Sequence, residues 1–130
     1  MTSYRTALSR ARGLGAAKHG VGVFIAQRVS AMALVLLTLW GVWSALILAR
    51  GDYYDASLWL QSPLNAVLMS LLIGVGAFHM QIGMREIIAD YLARPLTRSA
   101  CMVANVFVCW LIGAVGVFCI LKVALTAGVH

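Results

Sequence analysis

Charge is what this sequence has least of. Only 11% of its 130 residues are charged, and four of those are acidic: Asp52, Asp55, Glu86 and Asp90. The stretches 29–49, 56–84 and 99–121 contain no Asp, Glu, Lys or Arg at all. A soluble domain carries about a quarter charged residues, so the scarcity excludes an ordinary water-soluble fold. Proline is nearly absent as well. Pro63 stands at the start of the second apolar run, where a missing N–H costs little, and Pro95 separates the second run from the third. Cysteine is scarce, and Cys101, Cys109 and Cys119 all fall in the third run without metal-ligand spacing. That excludes a disulfide framework and a zinc cluster, and the three read as small buried apolar residues.

What is present is apolar surface. Hydrophobic residues make up 62% of the chain and the mean hydropathy is +0.92. Each charge-free run reaches or exceeds the roughly 20 residues that a helix needs to cross the hydrocarbon core. Only helices and closed barrels satisfy their backbone in lipid, and these runs lack the alternation of barrel strands. The expectation is an all-α integral membrane protein with three transmembrane helices. Its spans lie at about 29–49, 63–89 and 99–121, behind a basic tail of residues 1–28, with 29–130 forming the membrane domain. No remaining segment is large enough to be a soluble catalytic domain. The chain is therefore expected to have no catalytic site of its own, so chemistry on a polar substrate belongs to a partner or takes place within the membrane.

Basic residues set the expected orientation. Arg5, Arg10, Arg12, Lys18 and Arg28 lie in the N-terminal tail, and Arg85, Arg94 and Arg98 between the second and third runs. Only Arg50 and Lys122 flank the other ends. The N-terminus and second loop are thus expected in the cytoplasm. The same asymmetry accounts for the net charge of +6 without nucleic acid. Tyr53, Tyr54 and Trp59 in the first loop suit the headgroup level on the opposite side. The first apolar run is too long for a cleaved signal peptide and is not closed by a small-residue cleavage site. An acid-free, Arg-rich tail with two serines also fits a mitochondrial presequence. A multi-pass protein of a bacterial inner membrane is the preferred location, with the lipid bilayer as its first partner.

Against this background His79 stands out, an ionisable side chain deep in a charge-free run. Such residues are disfavoured in lipid and by default mark function. At about 100° per residue, Gly76, His79, Gly83 and Asp90 share one face of a helix. Glycine on either side of the histidine permits close approach of another helix or of a flat ligand. A neutral imidazole is a favoured axial ligand of haem iron, and packing against a neighbouring helix is the bland alternative. His19 and His130 lie outside the expected spans, so a second axial histidine would have to come from another chain. Asp90 and Tyr91 follow about 17 Å further along the helix, at the cytoplasmic interface. There a tyrosine hydroxyl can donate to a quinone carbonyl or serve as an interfacial anchor. Arg28 opens the first span on the same side, as a snorkelling anchor or as the partner of an anion such as a haem propionate.

The run HMQIGMREIIADY, from His79 to Tyr91, resembles the haem-and-quinone segment of the D-type hydrophobic membrane anchor of succinate dehydrogenase, respiratory complex II. RGLGAAK from Arg12 to Lys18 and FIAQRVSA from Phe24 to Ala31 resemble that family's entry into its first helix. The resemblance covers roughly residues 10–98. It implies half of a heterodimeric haem-binding bundle within a four-membered assembly. The other three members would be a flavoprotein subunit, an iron–sulfur subunit and a second membrane anchor of the C type, cytochrome b.

Under that resemblance His79 is an axial ligand of haem b, and the partner anchor supplies the other. Tyr91, with Asp90 beside it, lies at the ubiquinone site, and Arg28 near the propionates or the quinone pocket. Electrons from succinate then reach ubiquinone through the assembly. One departure is Gly22-Val23, where relatives often carry a polar residue shortly before the arginine. Alternatives are a C-type anchor or a fumarate reductase anchor and, from another class, a non-redox three-helix assembly protein. Transport ranks last, because the runs hold few polar residues and show no broken helix.

Overall fold

The computed structural model describes residues 6–8 and 20–126. Four helices follow in order: α1 (Gly20–Leu48), α2 (Tyr53–Gln61), α3 (Pro63–Tyr91) and α4 (Pro95–Thr126). Among the described residues there is no strand. Helices α1, α3 and α4 are long and apolar enough to cross a membrane. At 1.5 Å per residue their 29, 29 and 32 residues extend well past a hydrocarbon core of about 30 Å.

The helix boundaries have local causes. Pro63 and Pro95 each take the first position of a helix, where no N–H is needed. Helix α3 ends with the Leu92 N–H on the Ile88 carbonyl, and Pro95 then restrains the residue before it. The first loop, read from the sequence as an interfacial connection, holds the short helix α2. Its N-terminus is a capping box: the Asp55 N–H donates to the Asp52 side chain at 3.0 Å, and the Asp52 N–H to the Asp55 side chain at 3.2 Å. Trp59 of α2 stacks on Trp40 of α1, with ring centroids 5.6 Å apart. Asn65 at the start of α3 donates to the Trp59 carbonyl at 2.9 Å. Helix α2 thus closes the end of the bundle away from Tyr91.

Helix α3 is central and runs antiparallel to both long neighbours. Against α1, Ser30 meets His79, and Gly41 approaches Leu72. Against α4, Asn105 meets Gln81, Gly113 approaches Ala77 and Gly116 approaches Ile73. The buried residues are Ser30, Ser44, Ala66, Ile82, Ile88, Asn105 and Cys109. Small and polar residues are what draw helices together in lipid, where apolar area gives no net drive. Large apolar side chains such as Leu36, Trp43, Phe107 and Trp110 face outward from the single chain. Of the cysteines, Cys109 is buried and Cys101 half-buried. Cys119 is exposed and departs from the buried role expected of it, because it lies on the outward face of α4; all three are free. Arg5, Arg10, Arg12, Lys18, His19 and His130 lie outside the described residues.

Candidate functional site

His79 lies near the middle of α3, half-buried against α1. Its Nδ1 is 2.9 Å from the hydroxyl of Ser30, a residue only 5% exposed. That hydroxyl also donates to the Gln27 carbonyl at 3.1 Å, one turn back along α1. The imidazole forms part of a shallow groove of about 390 Å³, otherwise lined by Ala31, Leu34, Val35, Thr38 and Leu39 of α1. The groove is open away from the bundle.

The glycines flanking His79 leave room. A methyl group placed on Gly83 would meet nothing within 4 Å, and one on Gly76 would find only Leu34 at 3.9 Å. Among the described residues no contact requires glycine at either position.

Tyr91 and Asp90 close α3, both exposed, with Tyr91 at 84%. Twelve residues separate Tyr91 from His79, about 18 Å along the axis. Arg28 is brought to the other of these two levels. It precedes Ser30 by two residues, so in the antiparallel pair it stands about 3 Å from the level of His79 and about 15 Å short of Tyr91. The described part of helix α1 runs from Gly20, so more than two turns of helix precede Arg28, which is not at its opening. Its guanidinium lies 5.1 Å from the centre of the Phe24 ring. Among the described residues no hydrogen bond or ion pair joins Arg28 to Asp90 or Tyr91. The four candidate residues form two groups, His79 with Arg28 at mid-helix depth, and Asp90 with Tyr91 at the helix end.

Among the described residues no three His, Cys, Asp or Glu side chains gather around one point. Two residues carry more of the structure than their sequence context shows. Ser30 meets His79, and its signal was a polar residue buried in an apolar run. Asn105 is the other: its side-chain amide donates to the Gln81 carbonyl at 2.9 Å, and its oxygen accepts from the Cys109 thiol at 3.3 Å.

Comparison with known proteins adds a family. The profile of the succinate dehydrogenase/fumarate reductase transmembrane subunit matches residues 2–123. The chain is 27% identical over 101 residues to a succinate dehydrogenase hydrophobic membrane anchor subunit of Rickettsia conorii, covering 77% of this chain and 80% of that one. A protein of the same name from Rickettsia bellii is 28% identical over 102 residues, covering 78% and 81%. One from Rickettsia felis is 27% identical over 101 residues, covering 78% and 76%. No solved structure matches the chain.

Proposed function

The chain belongs to the succinate dehydrogenase/fumarate reductase transmembrane subunit family, and from that premise we propose that it anchors a succinate:ubiquinone oxidoreductase in a bacterial inner membrane and co-ligates haem b through His79. A flavoprotein subunit, an iron–sulfur subunit and a second membrane anchor complete the assembly in this reading. The observation that carries it is the setting of His79: an imidazole near the middle of α3, lining an open groove and flanked by glycine space that no described residue fills. Such a setting suits a flat macrocycle shared between two chains.

A bound haem would supply a one-electron carrier. Within this chain, His79 would hold it through a ring nitrogen, and Gly83 leaves the neighbouring surface clear. Arg28, close to the histidine's level, is the cation available to a propionate, and an arginine fork suits a carboxylate. Tyr91 and Asp90, near the end rich in Arg85, Arg94 and Arg98, mark the side on which soluble subunits would dock. There the Tyr91 hydroxyl is free to donate to a ubiquinone carbonyl, with Asp90 beside it.

The test is a reduced-minus-oxidised spectrum of the complex purified through this chain, paired with succinate–quinone and succinate–dye assays. Wild type is expected to show a b-type haem that H79A lacks. Y91F is expected to lose most quinone reduction while retaining succinate oxidation by the dye. A haem-free wild type, or an H79A complex with full haem, overturns the ligand role. Equal loss of both activities in Y91F overturns the quinone role.

A further inference from the structure

We propose that Ser30 is a positioning residue for His79: it fixes the imidazole in the tautomer that leaves Nε2 free to bind iron. The inference rests on the haem-ligand reading above and adds to it the atom that holds the ligand in place.

The argument is a count of protons. A serine hydroxyl has one proton to donate and two lone pairs that accept. Ser30 directs its hydroxyl at the Gln27 carbonyl, 3.1 Å away, the usual back-bond of a serine within a helix. While that bond keeps the proton, the hydroxyl accepts from His79 Nδ1, 2.9 Å away. Nδ1 then carries the ring proton. A neutral imidazole has a single N–H, so Nε2 carries the lone pair.

The opposite tautomer would send the Ser30 proton to Nδ1, give up the Gln27 bond and point an N–H where a metal must bind. Ser30 is buried and both of its bonds are part-buried, and the contact at Nδ1 holds the ring in rotation as well as in tautomer. Hydrogen bonds to the distal nitrogen of a metal-bound histidine orient it and raise its basicity, and their removal typically weakens metal binding by about 10–100-fold. A more basic imidazole favours ferric over ferrous iron, so the Ser30 bond also holds the haem potential down.

The experiment compares complexes purified through wild-type, S30A, S30T and H79A chains. It reads the rate of haem transfer to excess apomyoglobin and the midpoint potential of the haem. S30A is expected to assemble, to lose haem about tenfold faster than wild type and to titrate at a higher potential. S30T keeps the hydroxyl and should return both values toward wild type. If S30A does not accumulate, S30C preserves the volume with a much weaker acceptor and should show the same two changes.

A general loss of packing would reduce assembly without raising the potential. Wild-type transfer rate and potential in S30A or S30C, alongside a haem-free H79A, overturn the Ser30 role and leave the ligand role standing. S30T behaving like S30A shows that the hydroxyl is not the determinant and overturns the proposal. Haem retained in H79A, or absent from wild type, overturns the ligand reading and this inference with it.

Discussion

The two sides of α3 meet glycine differently. On the α4 side, two glycines of α4 lie where side chains of α3 already occupy the space. A methyl group on Gly116 would come within 2.6 Å of an Ile73 methyl, and one on Gly113 within 3.1 Å of the Ala77 side chain. On the side facing α1, Gly83 has nothing within 4 Å and Gly76 only the tip of Leu34. Polar contacts divide the same way. Asn105 ties the α4 seam to a main-chain carbonyl, whereas Ser30 ties the α1 seam to the imidazole of His79. The lesson is that a glycine in a membrane helix marks close approach, and the neighbour it needs is found either within the chain or outside it. Around Gly113 and Gly116 the α3–α4 seam is closed by this chain, although a cavity of about 300 Å³ remains beside Gly74; the α1–α3 seam closes at Gly41 and Leu72 and has room left beside His79.

The largest expected effect comes from forcing the α3–α4 seam apart. Ile73 is β-branched and stiff at χ1, so it cannot swing its methyl away from a new side chain at position 116. An alanine there should destabilise the bundle by about 1–3 kcal/mol, the range of ordinary overpacking. G116L adds three more carbons to a gap already closed and is expected to prevent the chain from accumulating in the membrane. Immunoblots of membrane fractions check this. Wild-type levels of G116L would mean that α3 and α4 do not meet as described, and the contrast between the two seams would fall.

A smaller and more selective effect is expected at Gly83. In the chain by itself alanine at this position should be tolerated, even favourable by about 0.5–1 kcal/mol, because glycine weakens a helix interior. G83L should likewise leave chain levels unchanged, since the space is open. Its side chain, however, projects where a flat group beside His79 would lie. Haem per complex, measured by pyridine haemochrome, should fall at least about tenfold if the ligand site loses the affinity typical of such disruption. Full haem content in G83L would place the group elsewhere and remove the functional half of the comparison.

How much of this is legible in the sequence depends on the scale of the signal. Three membrane-length helices follow from runs of missing charge, because lipid leaves the backbone little choice. His79 and its glycine neighbours are legible too, since helical periodicity alone puts them on one face. The helix α2 is not, although Asp52 and Asp55 carry the spacing of a capping box; a nine-residue helix has too little apolar pattern to announce itself. Nor is the seam assignment legible. Gly76, Gly83, Gly113 and Gly116 look alike in a sequence, and only the arrangement of helices tells which of them have a neighbour. The level of Arg28 depends in the same way on the antiparallel register, which a pair such as Ser30 and His79 fixes and which no local pattern contains.

The smallest expected effect also tests whether the two seams are independent. Asn105 holds the Gln81 carbonyl, two residues beyond His79, so the backbone that carries the imidazole is pinned from the α4 side. Replacing Asn105 by alanine removes that bond and the acceptor of the Cys109 thiol. Side-chain hydrogen bonds between membrane helices are worth about 0.6 kcal/mol on average and about 1.7 at most. N105A should therefore lower thermal stability of the purified complex slightly and leave the haem potential where it was, because the ring itself is oriented from α1. S30A is expected to do the reverse, moving the potential with little loss of stability. A potential that shifts in N105A as far as in S30A would show that the carbonyl bond is transmitted through the α3 backbone to the histidine. The two sides of α3 would then be one device, with the packed seam setting the angle at which the open one presents its ligand.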